Sequence, residues 1–240
     1  MKKALVYFSI LAMLAMSSCL VSSLHPFYKE KDKVFNPALV GAWMDSDSCI
    51  WTIEKNMTSD YFLGPEYSDS TYRIAYYEDE GKVGYFVGTL FTLKEIQYMD
   101  FYPDPDEDHC TSDFIAANHF PTHTLARIGT DHEGIMLYWY GEEWLNDLFE
   151  QNRIRIQHES VEISPDFTRH VLTAPTEDLQ KFITKYANSP KTGIDVEKIF
   201  ARGVTSSDED WEDSGAFLTL RPYDGPLPGK SAIQVEPRRN

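Results

Sequence analysis

The chain is short of cysteine, of positive charge and of long apolar runs. Three cysteines among 240 residues are too few for a disulfide scaffold. Lys and Arg number 22 against 38 Asp and Glu, a formal net charge of −16. That balance argues against a nucleic-acid binder, because phosphate contacts need clustered Lys and Arg. It argues equally against attachment to an anionic lipid surface through a polybasic patch. No apolar run reaches the roughly 20 residues of a membrane-spanning helix. The sequence holds no Gly-rich phosphate-binding loop and no Gly-x-Ser-x-Gly around a nucleophile. What it does hold is 42% hydrophobic and 14% aromatic residues, too apolar for disorder and enough for one sizeable core.

The N-terminus reads as an address. Lys2 and Lys3 form a basic start, and Ala4 to Met16 is an uncharged, mostly apolar run. Small residues follow, Ser17 and Ser18, and then Cys19. This is the anatomy of a secretory signal peptide over residues 1–18, too short to be retained as an anchor. The segment Met16-Ser17-Ser18-Cys19 resembles the lipobox of bacterial lipoproteins. Met16 departs from the Leu, Val or Ile that the family prefers at that position. The resemblance implies a diacylglycerol on the Cys19 sulfur, cleavage just before it, and an acyl chain such as palmitate on the new amine. Two or three chains hold a protein durably where one does not, at about 0.8 kcal/mol per buried methylene. Leu20 stands where Gram-negative lipoproteins retained in the inner membrane carry Asp, which points to the outer membrane. Loss of residues 1–18, with Lys2 and Lys3 and no acid, leaves 222 residues and a net charge of −18.

The expected organisation is a lipidated tether over 19–36, rich in Ser and charge, then one β-rich domain over 37–240. Alternating or β-branched runs predict strands at 49–55, 71–77, 83–93, 96–102, 123–128, 135–140, 153–156, 169–172 and 217–221. Trp144, Leu145, Leu148 and Phe149 make one helical stripe. Leu179, Phe182, Ile183 and Tyr186 make a stronger one, with Thr173 or Thr176 as its cap, and 195–200 is a third short candidate. The fold class is α+β, mainly an antiparallel sheet with two or three helices in the C-terminal half. Whether the sheet is open or closed stays undecided at this point. Gly41-Ala42-Trp43 resembles the Gly-x-Trp that opens lipocalins and related calycin barrels. That resemblance implies a closed barrel in which Trp43 packs under an Arg of the last strand, here Arg221, where a guanidinium over an indole is favourable.

Signals for chemistry are weak. Cys49 and Cys110 could form a disulfide outside the cytoplasm, or remain two thiols. Asp104, Asp106 and Asp108 alternate as a calcium loop begins, but His109 and Ile115 break the EF-hand pattern, which leaves a looser calcium site or a solvated acidic loop. His119 and His123 stand four apart with Pro121 between them, and with His109, Cys110 and His132 nearby in sequence they are either a folded-up zinc site or ordinary polar loop residues. Trp211 lies in an acidic stretch as a contact residue or a packed one. No catalytic residue, metal or cofactor is assigned. The expectation is a lipid-anchored, non-enzymatic cell-envelope protein that reaches the membrane through its acyl chains and is either a structural module or a binding module for a small apolar ligand or a protein partner. The alternative is a lipoprotein hydrolase using carboxylates or a metal.

Overall fold

The computed structural model describes residues 20–60, 64–78, 82–104, 120–151, 153–164, 167–186 and 217–228. Eleven strands occur among them. They are β1 Ser22–Ser23, β2 Gly41–Met44, β3 Ile50–Asp60, β4 Gly64–Tyr77, β5 Val83–Leu93 and β6 Ile96–Pro103. β7 His123–Thr130, β8 Ile135–Trp139, β9 His158–Ser164, β10 Phe167–Leu172 and β11 Phe217–Pro222 follow. Two α-helices, α1 Glu142–Glu150 and α2 Thr176–Tyr186, and two short 3-10 turns, Glu30–Asp32 and Pro37–Leu39, complete the described elements.

The sheet closes. β2 to β8 pair with their sequence neighbours, β8 pairs with β11, and β11 returns to β2, giving an eight-stranded antiparallel barrel. Closure gives every barrel strand a partner on each side over at least part of its length. The choice between open and closed sheet could not be made from local pattern, because it depends on the two ends of the domain meeting. Two ends of the barrel are distinguishable. The base carries the Lys94–Glu95 and Asp131–Gly134 turns and a short 3-10 turn at Pro37–Leu39. The mouth carries the start of β7 and the ends of β6 and β8.

Strand alternation divides the apolar residues into two cores. Inward positions bring Trp51, Ile53, Tyr72, Ile74, Leu90, Met99, Phe101, Ala126, Ile128, Ile135, Leu137 and Leu220 into one buried cluster. The lumen is packed at mid-height: a Cβ added to Gly88 would lie 2.6 Å from Ile74 Cδ1 and 3.1 Å from Met99 Sδ. The second core lies between the outer wall and the helices. Phe91, Tyr98, Leu125, Tyr138 and Tyr140 face Leu145 and Leu148 of α1 and Leu179, Phe182 and Ile183 of α2. The helical stripes thus serve packing.

Residues 20–36, expected as a tether, are part of the folded domain. Val21 and Phe27 are buried, and β1 pairs antiparallel with β7 and parallel with β10. The segment then runs down the outer wall, where the Phe27 amide donates to Asp100 Oδ2 at 2.9 Å. At the base the Asn36 amide donates to the Tyr72 hydroxyl at 2.7 Å, and Phe35 stacks on that ring. Ser and charge suggested a free linker, but Val21, Phe27, Val34 and Phe35 supply enough apolar surface to hold it down.

Two further expectations change. Residues 153–156 form no strand: Ile154 is buried in the helical core and the Arg153 amide donates to the Leu148 carbonyl. Thr176 does not spend its hydroxyl on the helix, since Thr176 Oγ1 donates to the Pro26 carbonyl at 2.7 Å and ties α2 to the N-terminal segment. The helix candidate at 195–200 lies outside the described residues.

Candidate functional site

The site follows from how β7 shares its edge. Residues 126–130 of β7 pair with β8, while His123 and Thr124 pair with β1. β1 passes the pairing to β10, and β10 to β9. A small three-stranded extension therefore stands beyond the barrel wall at the mouth. Thr124, Ser22, Val171 and Glu159 are successive register partners, so they share one face, continuous with the barrel interior.

Between this extension and the mouth lies a cavity of about 610 Å³. Phe86 and Phe101 form its floor, packed edge to face at 6.4 Å, and Phe101 also meets Trp139 at 4.7 Å. Leu24, Phe120 and Val171 form apolar walls, with Glu159 and Arg169 as the charged groups of the lining. Pockets of this size with few polar groups suit small apolar molecules. Because the lumen below is packed around Gly88, a ligand in this cavity sits at the mouth.

Two polar clusters lie on other surfaces. Asp100 is 1% exposed, its Oδ1 2.8 Å from His123 Nδ1 while Oδ2 accepts from Phe27. Burial pushes the Asp100 carboxyl up, opposed by the His123 contact and the Phe27 hydrogen bond. This pair pins the N-terminal segment to the outer wall beneath the level of solvent. On the far face of the β9–β10 hairpin, His170 Nδ1 is 2.8 Å from Ser160 Oγ, and the His170 amide donates to Glu142 Oε1 at 2.6 Å. Burial and the neighbouring His158 lower the His170 pKa, opposed by Glu142. Glu142 Oε2 is buried without a hydrogen-bond partner among the described residues.

The residues singled out from sequence are scattered. Trp43 and Arg221 lie on the neighbouring strands that close the barrel, but their register differs from the expected stack. Pro222 is opposite Trp43 and Arg221 is opposite Met44, so alternation turns Arg221 to the other face. Trp43 Nε1 donates instead to the Leu39 carbonyl at 3.0 Å, sealing the base, and Arg221 is exposed. Cys49 is half-buried beside Tyr76, whose phenol is pushed up first by burial and then by a hydrogen bond with Cys49. Cys110 lies outside the described residues, as do Cys19, Asp106, Asp108, His109, His119 and Trp211. Asp104 faces Arg73 at 3.5 Å, His123 is held by Asp100, and the His132 side chain is 87% exposed. Among the described residues no group of three or more His, Cys, Asp or Glu is arranged to hold a metal. No described helix is long and apolar enough to cross a membrane.

The cavity residues went unnoticed in the sequence because none is chemically unusual. Only the register that places Ser22, Thr124 and Val171 side by side defines them. Comparison with family models, with curated proteins and with solved structures found no match to this chain.

Proposed function

We propose that this is a lipid-anchored protein of the cell envelope, carried on the outer membrane, that binds a small apolar ligand at its barrel mouth without catalysing a reaction. The observation that carries the ligand is the cavity of about 610 Å³ floored by Phe86 and Phe101. The Met16-Ser17-Ser18-Cys19 segment supports the anchor, with acyl chains on Cys19. The closed eight-stranded barrel, opened by Gly41-Ala42-Trp43 and sealed at its base by Pro37–Leu39, supports a lipocalin-like assignment. A single carboxylate, Glu159, lines the cavity among the described residues, whereas two would be needed for paired acid–base hydrolysis.

The test is native mass spectrometry of the protein purified from its own host envelope. The expected result is an N-terminal Cys19 carrying acyl mass and a co-purified apolar molecule in one-to-one ratio. A ligand-free protein that also fails to bind added fatty acid would overturn the binding reading.

A further inference from the structure

We infer that the barrel mouth faces the bilayer that holds the anchor and draws one acyl chain of a membrane phospholipid into its cavity. The inference rests on the lipid-anchor reading of Cys19 and on the apolar cavity, and adds where the ligand comes from. Its first support is the missing slack. Leu20 is bridged to Gly141, and Val21 donates its amide to the Tyr140 carbonyl at 2.8 Å. Cys19 precedes Leu20 directly, and Ser22 already lines the cavity. Consecutive Cα atoms are about 3.8 Å apart, so an acylated Cys19 lies within roughly 11 Å of chain from a cavity-lining residue. A free tether would have left orientation open; a packed one does not.

The second support is where apolar surface is exposed. Leu24 is 38% exposed, Phe120 76%, Val161 48% and Ile163 58%. Leu24 and Phe120 line the cavity itself. Val161 pairs with the cavity residue Arg169, and Ile163 follows it on the same face of β9. Val40, the remaining large exposed apolar residue of the described chain, lies at the base. Apolar groups clustered at one end of an otherwise acidic domain mark an interaction surface, and here the anchor selects a bilayer as the partner. With Glu159 and Glu162 on β9, the contact depends on apolar insertion and not on attraction to anionic headgroups. Arg169 is the cationic side chain of the cavity lining, of a charge that suits a phospholipid phosphate.

The experiment places the intact lipoprotein in phosphatidylcholine vesicles whose acyl chains carry a diazirine, irradiates them, and maps the labelled peptides. Peptides covering 20–24, 120–124 and 159–163 should carry several-fold more label than the peptide containing Val40. The double variant Phe120→Glu, Ile163→Glu should lose that excess while the acyl mass on Cys19 is kept; the wild-type map decides even if the variant fails to fold. Acylated Cys19 with label no higher at the mouth than at Val40 would overturn the inference and leave the anchor standing. Cys19 without acyl mass would remove the anchor and this orientation together.

Discussion

Asp100 has both carboxyl oxygens committed, one to His123 and one to the Phe27 amide, and it is buried. Its folded pKa is raised above the ordinary 3.8, with burial as the main cause. Between the two values the folded state binds more protons than the unfolded state, so Asp100 contributes stability at low pH that is lost as pH rises through its folded pKa. Asp100→Asn removes that dependence. Urea midpoints of the two proteins, followed from pH 3.8 upward, should show the variant gaining on wild type as pH rises. A pH-independent difference would contradict this. Gly134 tests a different constraint. Its φ of 152° lies in the region that disfavours side chains, and an added Cβ would meet the Leu220 carbonyl oxygen. Gly134→Ala should cost about 1–3 kcal/mol from conformation alone, measured by denaturant unfolding. His123 could be picked from the sequence as a polar candidate, but its partner lies 23 residues away on β6. No spacing rule connects them; only cross-strand register does.

The hairpins and helices were the most legible parts. The strands expected at 83–93 and 96–102 leave only Lys94 and Glu95 for the reversal between them, and both residues have positive φ, 47° and 71°. A two-residue turn of that hand favours Asn-Gly, and each strained L-residue costs roughly 1–2 kcal/mol. Replacing Lys94-Glu95 by Asn-Gly should therefore stabilise the protein by about 1 kcal/mol, read as a raised urea midpoint. In α2 the predicted stripe is the buried one, with Leu179 fully covered. Leu179→Ala should cost about 2–5 kcal/mol in the same assay. Arg153–Ile156 shows the limit of alternation, since a buried Ile154 against helices produces the same local pattern as a strand. β9 was missed for the opposite reason. His158–Ser164 alternates, but its apolar members are exposed and interrupted by Glu159 and Glu162, so nothing marked it as half-buried.

Closure of the barrel joins the beginning of the domain to its end. Gly41-Ala42-Trp43 hinted at it, yet the contact that seals the base is Trp43 to Leu39, a neighbour in sequence, and not Trp43 to Arg221. The tether expectation failed at the same level: residues 20–36 look like a linker in isolation and become a strap only when Asp100, Tyr72 and β10 are present to receive them. That strap brings Ser22 and Leu24 to the mouth and so completes the cavity. Ligand binding there is tested most directly by titrating the intact protein with a fluorescent fatty-acid analogue, beside a Thr124→Trp variant that fills the mouth and whose fold is checked by its urea midpoint. Wild type should bind saturably at one site per chain, and the folded variant should bind about tenfold or more weakly. Equal binding by both proteins, or no saturable binding by wild type, would contradict a ligand site at the barrel mouth.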